Sequence, residues 1–495
     1  MATRKTATAK ASQTSGQAQS RSTPKVDQEQ TRSKPLIKTA LKPQTTPPIG
    51  KPQGMRLLRQ LKWILDPVNY LEATKADLPD FFEEDALGFG DGPLVIASHP
   101  EALQFILSRD RTLFHSPGEF NRLLSPLIGD ASVIMLSGDR HKERRQLLAP
   151  AFHGERLEVY GQLICQLTEA LFSDFHPGDA FAARTLTQKV SLQIISSVVF
   201  GLTDSPRSQE IMQVLTETIE VFGSPTSALM LYFGGLQTDL GAWSPWGRFV
   251  RRRRQLDKLI YAEIRDRQSN PDDSRKDILS MLMAARTEDG EALGETELRD
   301  ELMSLLLAGH ETTATAIAWA MYWTHKQPEV KAKLLAELDA LGPEASFTEI
   351  AALPYLTAVC KETLRRSPVA MFTFPRVAKA EVKVMGRTFP PDTTFLGCIF
   401  LTHQREDLYP NHTAFQPERF LTRKYSPYEF IAFGNGSRRC VGEALAQYEM
   451  KLVVATLLSR YRFSLASEQP EIAKRRGVTL APAKGVPMIF QGKRT

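Results

Sequence analysis

Residues 433–442 (FGNGSRRCVG) place a single cysteine, Cys440, on a glycine-containing loop immediately before a helical run. The segment that follows, EALAQYEMKLVVATLLSRY, repeats its apolar residues at helical spacing. Gly436 and Gly442 can adopt backbone conformations that other residues avoid, so the chain can approach a flat ligand closely. The free N–H groups at the start of the helix and the nearby charge of Arg438 favour the thiolate form of Cys440. The loop therefore predicts a thiolate ligand for an iron cofactor, with a buried structural cysteine as the alternative.

These ten residues match every fixed position of F-x-x-G-x-R-x-C-x-G, the haem-binding signature of the cytochrome P-450 superfamily. The chain therefore resembles a haem-thiolate monooxygenase of the soluble bacterial type. The resemblance implies a mainly α fold with a smaller β-sheet region, the cytochrome P-450 fold, and haem b (iron protoporphyrin IX) as the cofactor. It also implies that Cys440 is the axial ligand of the haem iron and that Phe433, Gly434 and Gly442 belong to the haem-binding loop.

The first 54 residues differ in charge from the rest of the chain. They contain ten lysines and arginines against two acids, whereas the remainder carries 52 basic and 54 acidic residues, so the formal charge of +6 originates in this tail. Because the tail has few large apolar residues, we expect it to be disordered. An organelle transit peptide and a lipid-binding arm are alternatives to a solvated extension. Residues 55–495 are expected to form one haem-thiolate monooxygenase domain.

The cysteine count and the hydropathy pattern restrict the compartment. Four widely separated cysteines argue against a disulfide framework and against a zinc site. No run approaches the roughly 20 apolar residues of a membrane-spanning helix. We expect a cytoplasmic monomer that does not bind nucleic acid. The amphipathic segment 55–65 (MRLLRQLKWIL) is a candidate for peripheral membrane contact or, alternatively, caps the fold.

Helical periodicity dominates the chain between residues 139 and 360. His99-Pro100-Glu101 is expected to open an earlier helix, and a hairpin is predicted over 87–97. After Ser367 the helical period fails, and prolines separate short strand-like segments. The predicted helices are 157–175, 186–200, 209–222, 249–267, 297–327 and 328–341, and the predicted strands include 381–385 and 394–400.

The longest predicted helix contains Gly309, Glu311 and Thr312 in an apolar setting (LMSLLLAGHETTATAIAWAMYW). Buried polar groups are costly unless they are paired or hydrated. A threonine hydroxyl can bond to the carbonyl four residues back, which opens the helix and admits water. The segment resembles the family's oxygen-activation motif, which implies that Thr312 positions oxygen and a water while Glu311 supplies protons. The alternative is a kinked helix with satisfied polar groups.

Glu362 and Arg365 lie three residues apart and therefore share one helical face. Taken alone, this spacing is common in surface ion pairs. The pair matches the family's E-x-x-R motif, and Arg419 resembles the third member of the buried network that this motif belongs to. The resemblance implies an architectural role, since an arginine and a carboxylate form a bidentate pair that lysine cannot replace.

The two haem propionates require cationic partners. His141 and Arg145 lie four residues apart on one predicted helix and resemble the family's propionate-binding pair. Arg376 and Arg438 match the other two usual donors. A charge cluster on the surface is the alternative for residues 140–145.

Three apolar segments, 114–127, 222–233 and 371–374, lie where the family recognises its substrates. Their Phe, Leu and Met content indicates a hydrophobic small molecule such as a fatty acid, a terpenoid or a steroid-like compound. Core packing explains many of the same residues. The implied reaction inserts one oxygen atom of O2 into a C–H bond of this substrate, since a thiolate ligand favours cleavage of the O–O bond.

The chain has no flavin-binding, nicotinamide-binding or iron–sulfur motif outside the catalytic unit. Electrons are therefore expected from a ferredoxin or flavodoxin and its NAD(P)H reductase. Arg423, Lys424, Arg438 and Arg439 are expected to form a basic surface that attracts this acidic partner. The alternatives to a partner-dependent monooxygenase are a haem-thiolate peroxygenase or isomerase and a haem-binding sensor without turnover.

Overall fold

The computed structural model describes residues 50–85, 92–201, 206–220, 230, 235, 237–272, 274–342 and 344–494. The disorder predicted for the tail falls almost entirely outside these residues. Residues 87–91 of the predicted hairpin and all of 222–233 except Met230 also lie outside them. The boundary of the catalytic domain at residue 55 stays a prediction.

Helices dominate the described chain, as the periodicity predicts, and each long predicted helix is present with ends shifted by a few residues. The helices are α1 Arg56–Leu65, α2 Pro67–Asp77, α3 Pro100–Ser108, α4 Ser125–Ile128, α5 Gly138–Leu148, α6 Glu155–Ala170, α7 Ala183–Phe200, α8 Pro206–Glu220, α9 Pro245–Ser269, α10 Ile278–Ala284, α11 Glu295–Lys326, α12 Pro328–Leu341, α13 Phe347–Ala352, α14 Pro354–Arg366, α15 Ile399–His403, α16 Arg419–Thr422 and α17 Glu443–Arg460.

The strands form small sheets beside the helices. They are β1 Phe81–Glu83, β2 Leu94–Ala97, β3 Phe114–His115, β4 Ala180–Ala182, β5 Arg376–Ala378, β6 Val382–Val384, β7 Arg387–Phe389, β8 Thr394–Gly397, β9 Tyr461–Leu465, β10 Ala473–Arg476, β11 Thr479–Pro482 and β12 Pro487–Lys493. In the described residues the largest sheet has the order β1-β2-β8-β5-β3, and only its β2–β8 pair is parallel. The other sheets are β4-β12-β9, β10-β11 and β6-β7.

The central element is α11, which packs against α7, α14, α17 and β11. Its start is stabilised by Glu297, whose Oε2 accepts a hydrogen bond from the Gly294 N–H at 3.1 Å. It ends at Lys326, two residues before Pro328, because the residue preceding a proline, here Gln327, disfavours the helical conformation. The buried side chains of α11 include Leu302, Leu306 and Trp319, which lie in the largest hydrophobic cluster of the described chain.

Two predictions about strands are wrong in part. The strand β2 was expected to pair across the turn at Asp91 and Gly92, but its antiparallel partner is β1, and its other edge is covered by β8. The predicted strand 394–400 ends at Gly397, since the chain enters α15 at Ile399. In both cases the apolar pattern identified buried residues, and long-range pairing decided their conformation.

Candidate active site

The backbone of the Cys440 loop folds back on itself. The Cys440 N–H donates to the carbonyl of Phe433 at 3.0 Å, and a short 3-10 turn, Gly436–Arg438, lies between them. Gly434 and Gly436 have φ values of +67° and +72°, which other residues rarely adopt. The expectation of an unusual backbone at Gly442 is wrong, since its φ is −88°.

Gly436 is fixed by a close approach to α3 and the residues after it. A Cβ atom at this position would lie 2.5 Å from both the Leu107 carbonyl oxygen and Asp110 Oδ2. The same Asp110 oxygen accepts hydrogen bonds from the Ser437 N–H at 2.6 Å and from Arg376 at 3.1 Å. Any side chain at Gly436 would therefore displace the loop from Leu107 and Asp110.

The sulfur of Cys440 lies three residues before α17, where the sequence predicted the loop to become a helix. Burial raises the pKa of the Cys440 thiol, whereas the Gly442 N–H and then Arg145 and Arg439 lower it. The residue still faces an open cavity of about 850 Å³.

Arg438 does not have the position near the sulfur that the sequence suggested. Its guanidinium turns to the residues after β3, donating to the carbonyls of Ser116 at 2.6 Å, Leu136 at 2.5 Å and Val133 at 3.1 Å. It is buried, so it also contributes nothing to an exposed basic surface. Arg439, which is exposed and pairs with Glu443 at 2.6 Å, is the arginine that faces solvent.

A group of cations surrounds His141 in α5. Burial, together with the charges of Arg438, Arg145, Arg111 and Arg376, lowers the pKa of His141 to about 3. In the described part of the chain, neither the His141 ring nor the Arg145 guanidinium has a hydrogen bond or an ion pair. The site therefore carries positive charge that the protein itself leaves uncompensated.

Arg376 is the member of this group that is held in place by several hydrogen bonds. One of its Nη atoms donates to Asp110 and to the Asn435 carbonyl at 3.0 Å, and the other donates to the Phe374 carbonyl at 2.9 Å. Its Nε atom is buried without a partner in the described residues. Unpaired buried N–H groups are rare, and an anionic ligand would satisfy this one.

Glu311 and Thr312 of α11 form hydrogen bonds with different partners. Thr312 Oγ1 donates to the Ala308 carbonyl at 2.5 Å, which is the back-bond the sequence predicted. The Glu311 carboxylate accepts one hydrogen bond from Arg184 and another from Gln188 at 2.8 Å, both in α7. These contacts hold the acid against the neighbouring helix.

The predicted opening of α11 at Gly309 is not observed, because the helix is continuous from Glu295 to Lys326. A Cβ at Gly309 would lie 2.8 Å from the Ile195 side chain of α7. The glycine thus permits the close packing of α7 on α11. In addition, the Ser191 hydroxyl lies 3.4 Å from the Gly309 carbonyl.

A cavity of about 2000 Å³ is bounded by α11 on one side and by the segment before β5 on another. Leu307, Ala308, Glu311 and Thr312 line the helical side. Residues 371–374 and most of 115–124 also line it, as the apolar segments predicted. Phe114 instead packs in the sheet core, and Met230 is a core residue.

The ion pairs of the E-x-x-R motif are fully buried. Arg365 donates to both carboxylate oxygens of Glu362, at 2.7 and 2.8 Å, and Arg419 donates to Glu362 at 3.1 Å. Arg365 also donates to the carbonyls of His403 and His412. The three residues thus join α14 to the segment that follows α15.

Several charged or polar residues next to these groups could not be identified from local sequence patterns. Arg184 and Gln188, which hold Glu311, were not identified, nor was Arg144. Arg144 donates to Glu297 at 2.5 Å and to the buried Glu301 at 2.9 Å, so it ties α5 to α11. Such contacts join residues more than 120 positions apart, and local spacing cannot indicate them.

Comparison with known proteins shows to which family this chain belongs. A family model described as Cytochrome P450 matches residues 86–488, which is most of the chain. The chain belongs to the cytochrome P450 family. It is 33% identical over 444 residues to the protein named cytochrome P450 135B1 of Mycobacterium tuberculosis, covering 89% of this chain and 91% of that protein. Its identity to cytochrome P450 138 of Mycobacterium bovis is 31% over 404 residues, covering 81% and 87%.

Solved P450 structures share the fold. The haem domain of cytochrome P450DA superposes with a TM-score of 0.78 at 20% identity, covering 90% of this chain and 98% of that one. A cyanobacterial CYP120A1 with retinoic acid bound gives a TM-score of 0.75 at 21% identity, covering 88% and 96%. The mainly α fold with small sheets, predicted from the sequence, is therefore confirmed as the P450 fold.

The cofactor of this P450 is haem, iron protoporphyrin IX, and its enzyme class is that of the P450 monooxygenases. The donor set fits this group: a cysteine faces a cavity on a loop with little steric bulk, and unpaired cations are available for two carboxylates. The described residues contain no alternative cluster of His, Cys, Asp and Glu that could hold a metal ion.

None of the helices in the described chain is both long enough and apolar enough to cross a membrane.

Proposed function

We propose that this P450 inserts one oxygen atom of O2 into a C–H bond of a hydrophobic small molecule, with electrons from a separate redox protein. The observation that carries the proposal is the pairing of the Cys440 loop with the uncompensated cations around His141. A metal-binding thiolate and a site for two carboxylates together fit haem.

In this proposal Cys440 would bind the haem iron through its sulfur, and its loop is shaped by Phe433, Gly434 and Gly436. Gly442 leaves open space beside the loop, since a Cβ at this position would meet no atom within 4 Å. The bound haem supplies the activation of O2. The backbone N–H of Gly442 stabilises negative charge on the sulfur.

The propionates are bound by His141, Arg145, Arg376 and Arg438. In the described residues Arg145 and His141 have no hydrogen-bond partner for their side chains on α5, and the buried Nε of Arg376 has none either. Arg438 contributes mainly its charge, because its N–H groups already bond to carbonyls. Burial, together with the positive charge around it, keeps the His141 imidazole neutral, so the ring acts as a hydrogen-bond donor.

Thr312 and Glu311 take part in proton delivery. The Thr312 hydroxyl lines the large cavity and holds a water or oxygen in place. Glu311 is the acid next to it. A water molecule must replace the hydrogen bond from Arg184 or Gln188 before Glu311 can pass a proton into the cavity. Retention of both groups favours a monooxygenase over a peroxygenase, an isomerase or a sensor without turnover.

The network of Glu362, Arg365 and Arg419 has an architectural role. The charges of Glu362 and Arg365 are out of contact with solvent. Arg365 also donates to the carbonyls of His403 and His412, in the chain that leads to the proposed haem loop. The network fixes the backbone that precedes this loop.

The substrate is hydrophobic because apolar side chains supply much of the cavity wall. Phe120, Leu123, Met371, Phe372 and Leu396 are among them. Fatty acids, terpenoids and steroid-like molecules fit such a surface.

A ferredoxin or flavodoxin, reduced by its NAD(P)H reductase, supplies the electrons. The surface that attracts it includes Arg439, Arg423 and Lys424, all exposed. Arg423 and Arg439 are partly neutralised by Glu429 and Glu443, so the attraction is moderate and depends on salt.

Peripheral contact with an anionic bilayer is supported by α1. Four of its leucines, Leu57, Leu58, Leu61 and Leu65, lie within an arc of about 100° on the helix and are 43–62% exposed. The basic residues of the preceding tail complement anionic lipid. The same helix lines the substrate cavity with Trp63 and Ile64, so a lipophilic substrate would enter from the bilayer side.

The proposal is tested with the carbon monoxide difference spectrum of the reduced protein. A red-shifted Soret band shows thiolate ligation, and Cys440→Ala is expected to abolish it. The control is Cys165→Ala, which removes a half-buried thiol in α6 and should leave the spectrum unchanged. A normal red-shifted band in Cys440→Ala would contradict the assignment. Product formation from lipophilic compounds with NADPH and a ferredoxin system then separates an oxygenase from a sensor.

A further inference from the structure

One end of the large cavity carries a guanidinium without a partner. Arg476 is the last residue of β10, and its backbone pairs with Thr479 across the turn to β11. Its side chain lines the cavity together with Arg184, Glu311 and Thr312. In the described residues the Arg476 guanidinium makes no hydrogen bond and no ion pair. Its neighbour Arg475, by contrast, stacks on the Trp63 ring at 4.5 Å.

The nearest acid is already occupied. Glu311 accepts from Arg184 with one oxygen and from Gln188 with the other. Arg184 is only 8% exposed, and its Nε atom is buried without a partner in the described chain. The Glu311 carboxylate is therefore engaged by α7, and in the described residues no carboxylate forms an ion pair with Arg476. The charge of Arg476 and the Nε–H group of Arg184 are thus available to a ligand.

The Arg476 side chain is partly shielded from water. Loss of hydration lowers the pKa of Arg476, the charge of Arg184 lowers it further, and Glu311 opposes both. A partly desolvated cation attracts an anionic ligand more strongly than a fully hydrated one does. The rest of the cavity has apolar walls that include Phe120, Met371 and Phe372.

We propose that Arg476, with Arg184, binds the carboxylate of an amphipathic substrate whose hydrocarbon part lies on the apolar wall of the same cavity. The proposal rests on the proposed function and narrows its substrate class to long-chain carboxylic acids. A carboxylate matches the planar fork of a guanidinium and forms charge-assisted hydrogen bonds with it. An uncharged compound of the same length leaves both arginines unsatisfied, so the site discriminates between the two.

The test compares ligands that differ only in the head group. Binding of decanoic acid, 1-decanol and inorganic phosphate to the purified holoprotein is measured by calorimetry at pH 7.5. Decanoic acid is expected to bind at least about tenfold more tightly than 1-decanol, which corresponds to about 1.4 kcal/mol. Inorganic phosphate, which lacks a hydrocarbon part, should not displace it.

Arg476→Gln is expected to reduce the preference for the acid to less than about threefold while affinity for 1-decanol is retained. The matched control is Lys474→Gln, which removes an exposed cation from the same strand, two residues away and outside the cavity lining. Arg476→Lys should restore part of the preference. The carbon monoxide difference spectrum should be the same in all variants, which shows that the haem site is intact.

Equal affinity for acid and alcohol in the wild-type protein would overturn the proposal, and so would a preference that survives Arg476→Gln. Displacement by phosphate would indicate a site for small free anions and would also overturn it. Arg476-dependent binding of decanoic acid without oxidation of any tested compound would support the carboxylate site while contradicting the proposed function.

Discussion

The Glu311 carboxylate of α11 is held by the Arg184 guanidinium of α7, and Gln188, one turn further along α7, donates to its second oxygen at 2.8 Å. The acid of the oxygen-activation motif is therefore fixed to a neighbouring helix in the ligand-free protein. Its neighbour Thr312 faces the large cavity. A proton can pass from Glu311 to this cavity only if one of the two contacts opens, so Arg184 is a positioning residue for the proposed reaction.

Glu311→Gln keeps a group of the same shape between Arg184 and Gln188 but removes the ionisable proton. We expect the rate of product formation to fall by about 100-fold, in the range of lost general acid catalysis. The affinity for an uncharged substrate and the carbon monoxide difference spectrum should not change. Steady-state kinetics with NADPH and a ferredoxin system measure the effect, and an unchanged rate would remove Glu311 from the mechanism.

Thr312→Ala removes the hydroxyl that bonds to the Ala308 carbonyl at 2.5 Å. We expect the protein to bind haem normally and to consume NADPH, with a several-fold lower yield of product per NADPH, because oxygen is no longer positioned. Thr312→Ser retains the hydroxyl and is expected to keep most of the yield. Product and hydrogen peroxide are quantified against NADPH, and an unchanged ratio in Thr312→Ala would contradict its role.

Arg365→Lys replaces a bidentate contact with Glu362 by a single point charge in a fully buried position. The free energy of unfolding is expected to fall by about 1–3 kcal/mol, because lysine keeps the charge but cannot make the bidentate contact and leaves the buried carbonyls of His403 and His412 without their donor. Arg460→Lys is the control, because its ion pair with Glu169 is exposed and should contribute at most about 1 kcal/mol. Urea unfolding of the two variants compares these costs. Equal small effects would show that the network is not important for stability.

Glu449 of α17 is buried, its Oε1 atom has no partner in the described residues, and burial raises its pKa to about 8. A glutamate in an unfolded chain ionises near about pH 4.3. Between these values the unfolded state releases a proton that the folded state keeps. Stability attributable to Glu449 is therefore highest below about pH 4.3 and is lost as the pH rises to about 8.

Glu449→Gln should remove this dependence. We expect the variant to gain stability relative to the wild-type protein between pH 5 and pH 8.5, as measured by urea unfolding at each pH. Glu443→Gln changes a partly exposed acid of the same helix and serves as the control. A difference between Glu449→Gln and wild type that is the same at both pH values would show that Glu449 does not titrate in this range.

Leu57→Ser combined with Leu61→Ser removes apolar area from the exposed face of α1. Each leucine contributes roughly 1.5–3 kcal/mol when it is fully buried, so binding to vesicles that contain anionic phosphatidylglycerol should weaken at least tenfold. Leu421→Ser removes a leucine that is 50% exposed elsewhere on the protein and should have no effect. Co-sedimentation with vesicles measures binding. Equal binding by both variants would exclude α1 as the contact surface.

Much of the fold could be predicted because helical periodicity is a local property. The segment 328–341 coincides with α12, and 297–327 differs from α11 by two residues at its start and one at its end. The strand 394–400 was less accurate, since β8 depends on hydrogen bonds to β2, which lies about 300 residues earlier. No local pattern contains that information.

The Cys440 loop, the acid and alcohol of α11 and the E-x-x-R pair were each found in the sequence because their residues have fixed local spacing. The family and its cofactor followed from them. Only the tertiary structure showed that Arg438 turns away from Cys440, that Glu311 is tied to Arg184, and that Arg476 faces the cavity without a partner. The physical reason is that the partner of a charged side chain is chosen by packing between distant segments, whereas spacing along the chain determines only which residues share a turn, a loop or a helical face.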